Sequence, residues 1–221
     1  MDYSPILISL KTAAISIVIT FILGIVVARL VDGIKNTKFK VILDGILTLP
    51  LVLPPTVAGF ILLYVFGVKR PLGMFLLDVL SIKIVFTWWA TVLAAVTISF
   101  PLMYRSARGA FEQVDSNLIY AGRTLGMSEW SIFWKVLIPN AKPGIVSGGI
   151  LAFARGLGEF GATAMVAGNI AGKTRTLPMA VYSAVSSGDM DKAKSYVVIL
   201  VIISFITVVL MNYTAVRKQR K

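Results

Sequence analysis

The feature that most constrains this chain is a set of long apolar runs that no charge interrupts. Residues 45–67, 84–104 and 196–216 contain no Asp, Glu, Lys or Arg. A helix needs about 20 mostly apolar residues to cross the hydrocarbon core of a bilayer, so each run is long enough to span. Stretches 6–30 and 144–166 also qualify, the first with Lys11 and Arg29 near its ends and the second with Arg155 and Glu159. Long basic side chains near a helix end reach the headgroups. At 57% hydrophobic and 14% charged residues, the composition departs from soluble domains, which run about 45–50% apolar and about 25% charged. The expected fold is all-α, a polytopic membrane helix bundle of about five transmembrane helices in a single domain, 1–221. The first run is expected to be retained rather than cleaved as a signal peptide. It is too long for an h-region, begins with Asp2 instead of a basic segment, and is followed by no small-x-small site.

The chain has no His and no Cys. That excludes His or Cys ligation of zinc, haem or iron–sulfur clusters, a Ser–His–Asp or Cys–His nucleophile, and any disulfide. The net charge of +12 does not point to nucleic acid, because the cations fall in short clusters between apolar runs. Their distribution orients the chain. Loop one, with Arg29 at its edge and Lys35, Lys38 and Lys40, joins loop three (Arg105, Arg108, Arg123, Lys135, Lys142) and the tail (Arg217, Lys218, Arg220, Lys221) for thirteen cations. The alternate side holds seven: Lys69, Arg70, Lys83, Lys173, Arg175, Lys192 and Lys194. The positive-inside rule then predicts an outside N-terminus and a cytoplasmic C-terminus. Residues 71–80 are too short to cross and read as an interfacial segment.

The sizeable polar segment is 105–142. Asp115 or Ser116 is placed to cap a short helix through Leu125, with Gly126 at C′. Ser128 caps a second helix with Glu129 in its first turn. Trp130, Phe133, Trp134 and Leu137 then share one face at i, i+3, i+4, i+7. Pro139 and Pro143 are expected to stop this helix before the fourth span begins at Gly144. The pattern is a helix–Gly–helix elbow, equally suited to lying on the headgroups or to docking a cytoplasmic partner.

Ala121-Gly122-Arg123-Thr124-Leu125-Gly126, followed after nine further residues by the Val136-Leu137-Ile138-Pro139 segment, resembles the Glu-Ala-Ala loop of ABC-importer permeases. The spacing from Gly126 to Pro139 matches, while Tyr120 replaces the family's Glu, Gly122 its second Ala, and Val136-Leu137-Ile138 its Ile-x-Leu. Leu49-Pro50-Leu51-Val52-Leu53-Pro54-Pro55-Thr56-Val57-Ala58-Gly59 and Phe153-Ala154-Arg155-Gly156-Leu157-Gly158-Glu159-Phe160-Gly161-Ala162-Thr163 resemble the molybdate-importer permeases. So does Ala167-Gly168-Asn169-Ile170. Sulfate and tungstate permeases share parts of this pattern.

The resemblance implies a plasma-membrane permease that works as a homodimer. Its partners would be a cytoplasmic ABC ATPase dimer and an external oxyanion-binding protein, with membrane lipid around it and no nucleic acid. It implies no cofactor in this chain, ATP and Mg being held by the ATPase. Tyr120, Ala121, Gly122, Arg123, Thr124, Leu125, Gly126 and Pro139 would then form the ATPase-coupling elbow.

Several local features have two readings. Pro50, Pro54 and Pro55 free helical carbonyls, which fits either a kinked helix lining the translocation path or a packing kink. Gly144, Gly148, Ala152 and Gly156 recur every four residues, a stripe for close helix approach within the subunit or across a dimer. Arg155 and Glu159, at i and i+4, either lend a positive field to an oxyanion path or form a structural ion pair. The 167–174 segment, Ala-Gly-Asn-Ile-Ala-Gly-Lys-Thr, fits a loose Walker A pattern but lacks a preceding strand and falls on the outer side. Asp189 and Asp191 read as a solvated loop rather than a metal pair. A self-sufficient secondary transporter is the rival from another class. Its inverted repeats and paired broken helices find no match in one proline-broken span without a counterpart. A membrane-embedded enzyme would need more ionisable groups at mid-membrane than Arg155 and Glu159.

Overall fold

The computed structural model describes residues 2–219, with side chains through residue 211 and at 213. Arg220 and Lys221, and the side chains of Arg217 and Lys218, all counted in the basic tail, lie outside the described residues. Among those described there is no strand.

The chain begins with α1 (Ser4–Asp32), α2 (Thr37–Val52), α3 (Pro55–Phe66), α4 (Pro71–Leu80) and α5 (Trp88–Glu112). It continues through α6 (Ser116–Thr124), α7 (Glu129–Ile132) and, after a π-helical turn at Phe133–Leu137, α8 (Ile138–Leu157). The last elements are α9 (Gly161–Val166), α10 (Leu177–Ser186) and α11 (Met190–Gln219). Four helices are long and apolar enough to cross a membrane, or five if the bent pair α2–α3 counts as one span.

The bundle is turned inside out relative to a soluble protein. The buried side of α1 is small or hydroxylic, including Ser9, Thr12, Ala13, Ser16, Thr20 and Gly24. Its large residues Leu7, Val18, Ile22 and Leu30 are exposed. Lipid tails are as apolar as leucine, so close approach and hydroxyl bonds hold such helices together rather than expulsion from water. Thr12 bonds Thr91 at 2.9 Å and Thr20 bonds Ser99 at 3.1 Å, two rungs that bring α1 and α5 together in parallel. Double-mutant cycles in a membrane protein put such a bond at about 0.6 kcal/mol. Gly24 lies so close to Met103 that a Cβ there would sit 2.5 Å from Cγ.

The small-residue stripe of α8 faces inward within the subunit. Gly144 packs on Ala110, Gly148 on Ser106, and Gly156 beside Ser16 and Ser99. Ser9 and Tyr196 tie the opposite end, the Ser9 hydroxyl accepting from Leu177 N–H at 2.7 Å and Tyr196 donating to the Asp2 carbonyl at 3.1 Å. Asp2 takes the Ser4 N–H and hydroxyl, and these bonds hold its carboxyl below the usual range.

Several sequence expectations need correction. The 105–142 segment is not mainly loop: Arg105 and Arg108 belong to the last turns of α5. Pro139 and Pro143 do not end the helix, which runs from Glu129 to Leu157. The π turn is the physical reason. Widening the spiral lets Ile138 N–H reach Phe133 O, so the helix passes the N–H-free Pro139, and Asn140 Nδ2 donates to Val136 O at 2.7 Å. The 144–166 span breaks at Gly158–Phe160, where α9 starts anew. The 45–67 span is no simple kink, since α2 and α3 meet at 113° across Leu53 and Pro54.

The loops sort to two ends. Arg29 of loop one lies 3.6 Å from Glu129 of loop three, and Phe86 N–H of loop two reaches Val166 O before loop four at 3.0 Å.

Candidate functional site: a clamped elbow and a double helix break

Two places gather the residues singled out above. The first is the elbow. Asp115 caps α6, its Oδ1 accepting from Asn117 N–H at 2.9 Å. At the other end Met127 N–H bonds Gly122 O and Gly126 N–H bonds Arg123 O, both at 3.0 Å. This is the Schellman pattern, with Gly126 at φ +74°, a conformation that L side chains rarely adopt. Ser128 then caps α7, its hydroxyl accepting from Ser131 N–H at 3.2 Å.

Arg123 clamps the turn shut with a forked pair to Glu129, Nε to Oε1 at 2.7 Å and Nη2 to Oε2 at 3.3 Å. The elbow is tied to the bundle on its inner side. Glu129 also faces Arg29 of α1, and Arg29 pairs with Asp32 at 3.5 Å. Asp32 in turn meets Lys40 of α2 at 3.6 Å. Buried Gly122 sits against Ile132, and Phe133 packs edge-on to Phe111 of α5. Outward, Tyr120 and Thr124 are exposed, Ala121 with them, and Leu125 at the tip is 80% exposed. Pro139 is exposed just beyond the π turn.

The predicted apolar face of the second helix divides. Phe133 and Leu137 are buried, joined by Ile132, whereas Trp130 and Trp134 are exposed and meet edge-on, ring centroids 5.6 Å apart. The π turn rotates the register after Ile132, so no single stripe holds all four.

The second place is where two broken helices meet. Gly156, the last turn of α8, lies beside Ser16 and Ser99, each near the middle of its own long helix, so the α8–α9 break is at mid-depth. The α2–α3 break is beside it. A Cβ on Gly161 would lie 3.0 Å from Pro55 Cβ and 3.2 Å from Thr56 N. Gly59 of α3 is in backbone contact with Ala162, where a Cβ would come within 2.6 Å of Cα. Pro54 is exposed and Pro55 half-buried at this junction.

Arg155 Nη1 donates to Glu159 Oε2 at 2.7 Å. The sequence placed both on one helix, but Glu159 falls in the break, and its Oε1 accepts from Ala162 N–H at 2.8 Å. One carboxylate thus neutralises the guanidinium and supplies the acceptor that the α9 start needs. Glu159 is 3% exposed, while the Arg155 side chain is one-third exposed. The structure therefore also revises the count of broken spans: the proline break has a counterpart, packed against it. Sequence reasoning missed it because Gly158-Glu159-Phe160 carries no proline; the glycines at 156, 158 and 161 were the signal available.

The remaining motifs resolve into structure. Thr174 of the Walker-like segment is buried, its hydroxyl donating to Gly168 O at 3.2 Å and accepting from Ile170 N–H at 3.0 Å. It follows α9 rather than a strand, so the loop satisfies itself. Asp189 Oδ1 accepts from Lys192 N–H at 3.1 Å and Asp191 pairs with Lys194 at 3.7 Å. Among the described residues no group of three potential ligands is close enough to hold a metal.

Comparisons with known proteins agree with this architecture. Residues 20–220 match the family described as binding-protein-dependent transport system inner membrane component. The chain is 39% identical to the molybdenum transport system permease protein ModB of Escherichia coli K12, over 97% of this chain and 93% of that one. It is 37% identical to ModB of Haemophilus influenzae, over 100% and 96%. A solved chain of the MetNI methionine ABC transporter, in an inward-facing conformation, superposes with a TM-score of 0.74 at 19% identity, covering 96% of this chain and 93% of that one. That likeness concerns the fold. With the family match spanning nearly its whole length, the chain belongs to the inner-membrane components of binding-protein-dependent transport systems.

Proposed function

We propose that this chain is the permease subunit of an ATP-driven importer that carries molybdate inward across the plasma membrane. The observation that carries this reading is identity of 37–39% to molybdenum transport permeases over essentially the full length of both partners. Two copies form the pathway, an external binding protein selects and delivers the oxyanion, and two cytoplasmic ATPase subunits hold ATP and Mg. The N-terminus is outside and the elbow is cytoplasmic, as the loop charges require. The entire chain acts as one transmembrane domain.

A dianion cannot cross hydrocarbon unaided, and a conducting path must bind it weakly enough to release it. This division of labour leaves selection to the binding protein and switching to the permease. ATP-driven closure of the ATPase dimer pushes on residues 120–126 and Pro139. The push reaches α1 through Glu129 and Arg29, and α2 through Asp32 and Lys40. From α2 it meets the mid-depth junction of Pro54, Pro55, Arg155 and Glu159, the gate in this scheme. Arg155 keeps an exposed side, so an anion passing the junction meets a partly compensated positive charge.

The test is uptake of labelled molybdate into proteoliposomes holding this chain, its cognate ATPase and its binding protein, with tungstate and sulfate as competitors. Uptake that requires ATP and resists sulfate supports the reading. A preference for sulfate would keep the architecture and reject the cargo, and uptake by this chain alone would reinstate the secondary transporter.

A further inference from the structure

A groove of about 460 Å³ opens at the end of the bundle that carries the N-terminus. Leu7, Ile8 and Lys11 of α1 form one wall, Phe86 and Trp88 another, and Lys173 of the loop after α9 the rim. The walls are held in place. Trp88 Nε1 donates to Thr12 Oγ1 at 3.0 Å, and the Lys11 ammonium lies 4.1 Å above the Trp88 ring. Phe86 adopts φ +58°, uncommon for a residue with a side chain, and is pinned by its N–H to Val166 O and by ring contact with Gly168.

Two cations share this groove, no carboxylate lines it, and neither Lys11 nor Lys173 is ion-paired among the described residues. Lys11 also interrupts an exposed apolar stripe that runs Leu7, Lys11, Ala14, Val18, Ile22 down α1. So near the helix end the ammonium reaches headgroup depth, and no carboxylate of the groove meets it there. Trp88 and its exposed neighbour Trp89 are the residue type that marks headgroup depth.

We propose that this groove binds an anionic phospholipid of the leaflet bordering the N-terminal end, a site independent of the cargo. The headgroup phosphate sits with Lys11 and Lys173, and an acyl chain follows Ala14, Val18 and Ile22 toward membrane depth. A protein partner in solution matches the charges but not the apolar stripe, which continues from the groove to membrane depth.

The experiment titrates the full-length chain, delipidated in a nonionic detergent, with dioleoylphosphatidylglycerol or dioleoylphosphatidylcholine, and counts bound lipid by native mass spectrometry. Each surface lysine is expected to contribute about fivefold to anionic lipid affinity, so the anionic lipid should bind about thirtyfold better than the zwitterionic one. Lys11→Gln and Lys173→Gln should each lose about fivefold and the pair nearly all of the preference, whereas Lys11→Arg keeps it. Unchanged thermal unfolding of the variants in detergent shows that they are folded. Equal binding of the two lipids, or an unaltered preference in the folded double variant, overturns the proposal. Displacement of the lipid by millimolar inorganic phosphate overturns it in favour of a free-anion site. Protection of both lysines from amine labelling in the lipid-free protein overturns it in favour of an interface between copies.

Discussion

Arg123 and Glu129 face each other across the Gly126 turn in a forked pair at 2.7 and 3.3 Å, and the same carboxylate lies 3.6 Å from Arg29. One acidic residue therefore closes the elbow on itself and fastens it to the end of α1. Both partners of the fork are half-exposed, so water and salt screen the pair and it adds little to the stability of the fold. Its effect is expected in coupling. Glu129→Gln should leave thermal unfolding nearly unchanged while raising the ATP hydrolysed per anion transported, measured in the reconstituted complex. An unchanged ratio would show that the elbow transmits force by another route.

Gly126 sits at φ +74° with nothing within 4 Å of a Cβ built there, so a substitution meets no steric neighbour and its cost is conformational. Gly126→Val should destabilise the turn by about 1–2 kcal/mol, and Gly126→Asn, which tolerates this region, should be mild. Co-purification with the cognate ATPase should fall with Val and persist with Asn. Equal retention of the ATPase by both variants would detach this turn from docking.

The α8 stripe makes a size-swap prediction. A methyl on Gly148 would overlap Ser106. Gly148→Ala should lower the unfolding temperature in detergent, with an overpacking cost of about 1–3 kcal/mol, and Ser106→Gly in the same chain should restore it. Failure of the second change to rescue the first would mean that the stripe serves a contact outside this subunit.

At the mid-depth junction, Glu159 serves both Arg155 and the Ala162 N–H. Glu159→Gln keeps an acceptor for that N–H and loses the charge, so it separates the two roles; Glu159→Ala removes both. The Ala variant should cost more stability than the Gln variant, up to about 3–5 kcal/mol for a disrupted buried pair. Thermal unfolding of the two variants checks the order. If Gln is as damaging as Ala, the charge and not the helix cap holds the junction.

Much of this architecture is legible in the sequence because the signals are local. Uncharged runs mark spans, Asp115, Gly126 and Ser128 mark helix ends through their own side chains or lack of one, and a four-residue glycine repeat marks a contact face. What stayed hidden depends on tertiary compensation. Pro139 looks like a terminator until the π turn and the Asn140 side chain absorb its missing N–H. Glu159 looks like the next turn of a helix until packing of Gly59 on Ala162 and Gly161 on Pro55 rewards breaking it. Trp130, Phe133, Trp134 and Leu137 share one face by periodicity until the same π turn shifts the register after Ile132 and leaves the two tryptophans exposed. Site roles are less legible than fold, since a charge pair reads alike whether it faces a path or a neighbour.

Under the proposed function, residues 120–126 are where the ATPase meets this chain. The chain has no cysteine, so a single Leu125→Cys at the 80% exposed tip gives an unambiguous probe. Paired with single cysteines on the cognate ATPase, it should form a disulfide cross-link whose yield changes with ATP and whose formation blocks molybdate uptake in proteoliposomes. If Leu125→Cys forms no cross-link to the ATPase while Asn169→Cys at the opposite end does, both the coupling elbow and the orientation are contradicted.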